Sequence, residues 1–177
     1  MDTMIKEVGV PEIVLTTKEA IEDFIKNSKV KELLGWARKN SLWFLTQPMG
    51  CCGIEMIAFG CPHYDCDRFG IIPRATPRQA DVMIVSGYVT KKYYRAIRKL
   101  WEQMPEPKWA IAMGECAISG GPWWESYNMI TPTEKLIPID VYIPGCPPRP
   151  ESLIQGFIEL QRKIKEKQDR VSREQIH

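Results

Sequence analysis

No stretch of this 177-residue chain stays apolar for the roughly 20 residues that carry a helix across a bilayer, so any membrane attachment is expected to come from partners. Charge of neither sign dominates. The net is +2, and that balance asks for no nucleic acid. Two histidines leave little room for a His-rich metal site. No C-x-x-C knuckle is present, which removes the usual zinc signature. No G-x-G-x-x-G follows a strand-like run, so a nicotinamide or flavin fingerprint is missing too. The opening stretch MDTMIKEVGVPEIVLTTKEA has no basic start followed by a long apolar segment, and no secretory signal is expected. Six cysteines in a chain without such a signal argue against a disulfide framework, because the cytosol keeps thiols reduced.

What is abundant lies close to those cysteines. Fourteen prolines and twelve glycines gather around them, the composition of backbone bent to fit something. Four short apolar runs, Leu42–Leu45, Val82–Val85, Trp109–Met113 and Ile139–Ile143, each end in turn residues and suit buried parallel strands. Helical patterns alternate with them. One is expected over Thr16–Trp36. A second, Lys91–Met104, carries Tyr94, Ile97, Leu100 and Trp101 on one face and stops at Pro105. A third, Pro150–Lys167, opens with Pro and Glu. The expected fold is α/β, with a mostly parallel sheet of about four strands and helices on both faces. It is read as a single domain, 1–177: an N-terminal helical segment over 1–40, an α/β core over 41–160, and a charged, frayed tail over 161–177.

The order of elements brings four cysteines together. Cys51 and Cys52 follow the first strand, Cys116 follows the Trp109–Met113 strand, and Cys146 follows the Ile139–Ile143 strand. Ligands in open α/β sheets collect beyond the carboxyl ends of the strands. Four thiolates at that edge match an all-cysteine metal site, iron–sulfur or zinc; the bland alternative is four buried structural cysteines. The tandem pair favours the cluster. Neighbouring side chains diverge, so one metal ion takes both only through a sharp bend, whereas a cubane offers four separate iron corners. Gly50 and Gly53 flank the pair. Cys61 and Cys66, in Gly60-Cys61-Pro62-His63-Tyr64-Asp65-Cys66, follow a short helical run. They are read as loop cysteines off the site, with a second site or redox pair as the alternative.

Four stretches of the sequence resemble the NuoB/PSST family, the small cluster-bearing subunits of respiratory complex I and its archaeal and hydrogenase-like relatives. They are Ser41-Leu42-Trp43 with Gly50-Cys51-Cys52-Gly53-Ile54-Glu55-Met56; Tyr64-Asp65-Cys66-Asp67-Arg68-Phe69-Gly70 with Pro77-Arg78-Gln79-Ala80-Asp81; Gln103-Met104-Pro105-Glu106-Pro107 running to Cys116; and Pro138-Ile139-Asp140-Val141-Tyr142-Ile143-Pro144-Gly145-Cys146-Pro147-Pro148. The resemblance implies a flavodoxin-like fold and one [4Fe–4S] cluster on Cys51, Cys52, Cys116 and Cys146. It further implies a terminal place in an electron chain within a membrane-associated oxidoreductase. The implied partners are a large subunit of the complex I/hydrogenase type, other iron–sulfur subunits and membrane ion-translocating subunits. The chain would be peripheral on the cytoplasmic side of the membrane.

Departures from the family pattern concern the acceptor. Quinone-reducing members carry Lys-Met-Ala-Pro where this chain has Lys92-Tyr93-Tyr94-Arg95. Glu115 stands where many relatives have a small residue, and Cys61 and Cys66 exceed the usual set. Either quinone or a sulfur compound is therefore expected at the end of the chain. A membrane-bound [NiFe]-hydrogenase small subunit is the alternative, although such chains generally open with C-x-x-C. Glu55 is placed to answer a change in cluster charge, or to form an interface salt bridge. Arg68, Arg74 and Arg78 either line an acceptor cavity or meet a partner or solvent. Trp123 and Trp124 fit a subunit interface or core packing.

Overall fold

Short β-branched runs alternating with amphipathic helices resolve into five parallel strands in a computed structural model that describes residues 28–174. The strands are β1 (Phe44–Leu45), β2 (Pro73–Arg74), β3 (Val82–Ser86), β4 (Trp109–Met113) and β5 (Val141–Ile143). Their spatial order is β2-β1-β3-β4-β5, and every pairing is parallel. This is the flavodoxin-like order, whose direction of winding reverses between β1 and β3. The expected count was about four. The extra strand, β2, is two residues long and begins with proline, so no apolar run announces it. It exists because Phe44 and Leu45 register against Pro73 and Arg74 at the sheet edge, where a missing N–H is tolerated.

Helices α1 (Ser28–Asn40), α2 (Gly50–Phe59), α3 (Lys91–Gln103), α4 (Glu115–Ile118) and α5 (Pro150–Glu174) complete the chain. Strand periodicity sends alternate side chains to opposite faces, and both faces are covered. On one, Phe44, Val82, Ile84, Ile111, Met113, Val141 and Ile143 pack with Met56 and Phe59 of α2 and Leu153, Phe157 and Leu160 of α5. On the other, Leu45, Met83, Val85 and Ala110 meet Ile97 of α3.

The chain divides into two compact units, Met1–Trp36 and Ala37–His177. The described part of the first, 28–36, forms the opening turns of α1; most of the expected Thr16–Trp36 helix lies outside the described residues. At the other end α5 runs on to Glu174, past the expected limit at Lys167, so the charged tail is helical over most of its length. Its residues are largely Lys, Glu, Gln and Arg, good helix formers with no breaker among them.

Candidate functional site

The site begins with a latch at the winding reversal. Ser86 closes β3, donates its hydroxyl to the Gln47 carbonyl at 2.8 Å and accepts the Met49 N–H at 3.1 Å. The loop leaving β1 is thereby fixed to the end of β3. It turns at Gly50, whose φ of +57° favours glycine, and the Tyr88 ring lies so close that a Cβ at position 50 would stand 3.0 Å from it. Cys51 and Cys52 then occupy the first turn of α2, a different setting from the sharply bent loop expected for the pair. Successive helical side chains diverge by about 100°. Cys52 is accordingly buried, at 2% exposure, while Cys51 faces out.

At the end of β4, Gly114 takes φ +90° and leads into α4, which holds the buried Cys116. A Cβ on Gly114 would lie 2.4 Å from the Cys52 Sγ, so that thiol rests directly against the β4 terminus. The Gly114 N–H donates to the Ile143 carbonyl and the Glu115 N–H to the Gly145 carbonyl, each at 2.9 Å. These two bonds tie the Cys116 loop to the β5 loop that carries the exposed Cys146.

The four sulfurs share one electrostatic environment. Burial pushes the Cys52 thiol up to about 12, and the charges of Cys51, Cys116 and Cys146 and a hydrogen bond with Cys51 push in the same direction. Burial also raises Cys116, with Cys146 and Cys51 adding to it. Thiols so grouped resist ionising together, and a bound cation reverses that preference. Among the described residues no three Cys, His, Asp or Glu side chains close tightly enough to enclose a single metal ion.

Cys61 and Cys66 stand apart from this group. Cys61 is exposed, its thiol near the Ile57 carbonyl at 3.4 Å. Cys66 is buried in the core, and its thiol is pushed up to about 11 by burial, then by Asp67. His63 is exposed and sets its ring edge-on to Tyr64. Glu55 is half-buried and adds charge to Tyr64, whose hydroxyl donates to Glu151 at 3.3 Å. Glu115 accepts a short hydrogen bond from the Ser119 hydroxyl. Arg74 lies over the Trp43 ring at 4.0 Å and Arg68 over Phe69 at 4.7 Å, while Arg78 is exposed. Lys92-Tyr93-Tyr94-Arg95 forms the start of α3, capped by the Thr90 hydroxyl, which accepts the Tyr93 N–H.

Sequence reasoning passed over two features. Tyr88 contacts the Trp123 ring at 6.1 Å, which puts an aromatic pair beside Gly50 and the tandem cysteines. Ile54 and Ile57, on α2, are 69% and 63% exposed. Their apolar character points inward by ordinary rules, and only the packing reveals that they face out.

A parallel sheet in the order β2-β1-β3-β4-β5, with helices on both faces, defines a flavodoxin-like α/β protein, and Cys51, Cys52, Cys116 and Cys146 influence one another at its carboxyl edge. The chain belongs to the NADH ubiquinone oxidoreductase, 20 Kd subunit family, whose profile matches residues 50–160. It is 66% identical over 164 residues to a subunit of the F(420)H(2) dehydrogenase of Methanosarcina mazei, covering 93% of this chain and 89% of that one. Over 168 residues it is 49% identical to a subunit of the NADH-quinone oxidoreductase of Amoebophilus asiaticus, covering 94% of this chain and 98% of the relative. In three dimensions it resembles a chain of the membrane-bound sulfane sulfur reductase, an archaeal respiratory membrane complex. The TM-score is 0.73 and the identity 46%, with 76% of each chain covered. A chain of an NAD+-reducing [NiFe]-hydrogenase matches with a TM-score of 0.50 at 18% identity, over 71% of this chain and 93% of that one, which is a likeness of fold alone. The first three of these relatives are subunits of oxidoreductase complexes. No helix among the described residues is long and apolar enough to cross a membrane.

Proposed function

We propose that this chain is the electron-transfer subunit of a membrane-associated oxidoreductase related to complex I, and that Cys51, Cys52, Cys116 and Cys146 hold one [4Fe–4S] cluster. The carrying observation is the grouping of those four thiols, from three strand ends, in a chain of this family. The donor set is all cysteine, the chemistry an iron–sulfur cluster takes, and its members feel one another's charge. Glycine at 114 leaves room against Cys52 that any side chain would fill. When bound, the cluster supplies one-electron storage at a potential set by its surroundings.

The rest of the work falls to the chain's own residues. Cys52 and Cys116 give the site a buried side, and Cys51 and Cys146 give it an open one. Ile54 is exposed one helical turn after Cys51, and the Tyr88–Trp123 pair lies beside Gly50, apolar surface that a neighbouring subunit would cover to exclude water. Glu55, one turn beyond the tandem pair on α2, is the carboxylate we assign to answer a change of charge at the site. The relationship to the F(420)H(2) dehydrogenase favours reduced F420 as the electron donor to the whole complex. The acceptor is quinone or a sulfur compound, and membrane subunits couple its reduction to ion translocation. The [NiFe]-hydrogenase alternative has only the likeness of fold behind it.

Low-temperature EPR on the intact complex, isolated without air, tests the assignment. A reduced [4Fe–4S] signal with about four irons in this chain is expected. Cys146→Ser or Cys116→Ser should weaken or abolish it. Zinc without acid-labile sulfide, or an unchanged signal in both variants, would sink the proposal.

A further inference from the structure

The sheet has a second open side, away from the strand ends. Among the described residues β5 closes the strand order and pairs with β4 alone, which leaves the backbone groups of its outer edge without a strand partner there. Such edges are normally blunted by charge, a bulge or a covering element. Here the edge strand is Val141-Tyr142-Ile143, in which Val141 and Ile143 are buried and Tyr142 is exposed, and a groove of about 480 Å³ runs between it and α5. Gly156 sets the geometry of that groove. A Cβ there would stand 2.4 Å from the Ile143 Cδ1, so helix and strand approach closely at this one level.

The groove has a charge of its own. Glu151, Gln155 and Glu159 fall at i, i+4 and i+8, one stripe of α5, and all three line it. Among the described residues no lysine or arginine lines it, although Arg162 and Lys163 stand beside it, on Glu159 and on the Asp140 carbonyl. Glu151 is engaged by the Tyr64 hydroxyl and Glu159 by Arg162 at 2.7 Å, both surface interactions that an incoming cation can replace. Tyr142 is 41% exposed on the strand side. A strand edge whose exposed side chain is Tyr142, beside a line of carboxylates, calls for an extended segment that carries Lys or Arg on the side facing α5.

We propose that the groove between β5 and α5 docks an extended basic segment of a partner subunit, which adds to the sheet as a sixth strand at the β5 edge. Seated there, the segment ends beside Pro144, where the loop to the exposed Cys146 departs. The inference rests on the proposed membership in a multisubunit complex and is independent of the cluster.

The test uses the intact complex, with the photo-crosslinker p-benzoylphenylalanine at the exposed position of Gln155. The expected product joins this chain to a peptide of another subunit that bears at least two Lys or Arg. Crosslinks confined to this chain, to a second copy, to lipid or to a peptide without basic residues would overturn the proposal, as would no crosslink at all. In a second arm, Glu151→Lys combined with Glu159→Lys should cause a several-fold greater loss of this chain from the complex at low ionic strength. Unchanged retention would count against it. EPR on the same samples keeps the two readings separate: a preserved cluster signal with no basic crosslink removes the docking segment alone. Failure of any other subunit to co-purify with the parent chain removes both the complex and the docking.

Discussion

A methyl group on Gly114 probes how closely the end of β4 is fitted to Cys52. Its φ of +90° disfavours any L side chain, at a cost on the order of 1–3 kcal/mol, and the new carbon would meet the Cys52 Sγ at 2.4 Å. Gly114→Ala should therefore lower both the melting temperature and the iron bound per chain; full iron content would show that Cys52 does not depend on this contact. Cys66 makes the opposite case. Replacing Cys61 and Cys66 together by Ala should leave the EPR signal in place, since the charges that bear most on Cys66 are those of Asp67 and Asp65. Cys66 also predicts a pH dependence. Its thiol is raised in the folded chain from 9.0 to about 11, so between those values the unfolded chain releases its proton first. Stability is unaffected by this group below 9.0 and falls as pH climbs toward 11. Urea midpoints under reducing conditions should show that fall, and Cys66→Ala should flatten it.

Among the elements, α2 matters most, because its first turn holds two site cysteines and its last holds the core residue Phe59. Phe59 stacks on Phe157 of α5 at 5.8 Å, and Phe44 of β1 meets both rings at 6.0 and 5.9 Å. This aromatic cluster fixes α2 on the sheet. Phe157→Ala should destabilise the fold by roughly 3–5 kcal/mol. Because α2 is loosened as a unit, iron loading should fall with it, measured as iron per folded chain. Retained loading in a chain of lowered stability would mean that the loop latch at Ser86 alone positions the cysteines.

At the scale of the whole molecule, the surface is unfinished near the site. Ile54, Ile57, Trp123, Trp124 and Tyr127 are exposed, and Ile54 and Ile57 follow the tandem cysteines on the same helix. Scattered apolar residues need no explanation, but Ile54 stands one helical turn after Cys51 and Trp123 pairs with Tyr88 beside Gly50, and under the proposed function a partner subunit covers them. Ile54→Glu should change the stability of the chain itself by no more than about 0.5 kcal/mol, as surface substitutions do. It should sharply reduce the partner subunits that co-purify with it. An undiminished yield of complex would place the interface elsewhere.

The alternation of strand and helix and the apolar runs that became β3, β4 and β5 were legible in the residues, because periodicity and turn chemistry are local properties. Family membership was legible too, carried by Gly50-Cys51-Cys52-Gly53 and by Pro144-Gly145-Cys146-Pro147-Pro148. What depended on pairing between distant segments was not. β2 has no pattern of its own and becomes a strand only against β1. The tandem cysteines read as a bent loop until the Ser86 latch and Gly50 set them at the start of a helix. Cys52 is buried because it rests against the end of β4, and which apolar side chains of α2 face inward is decided by its packing on the sheet beside α5. The single sequence holds the chemistry of each residue, and the tertiary structure alone decides which of them face one another.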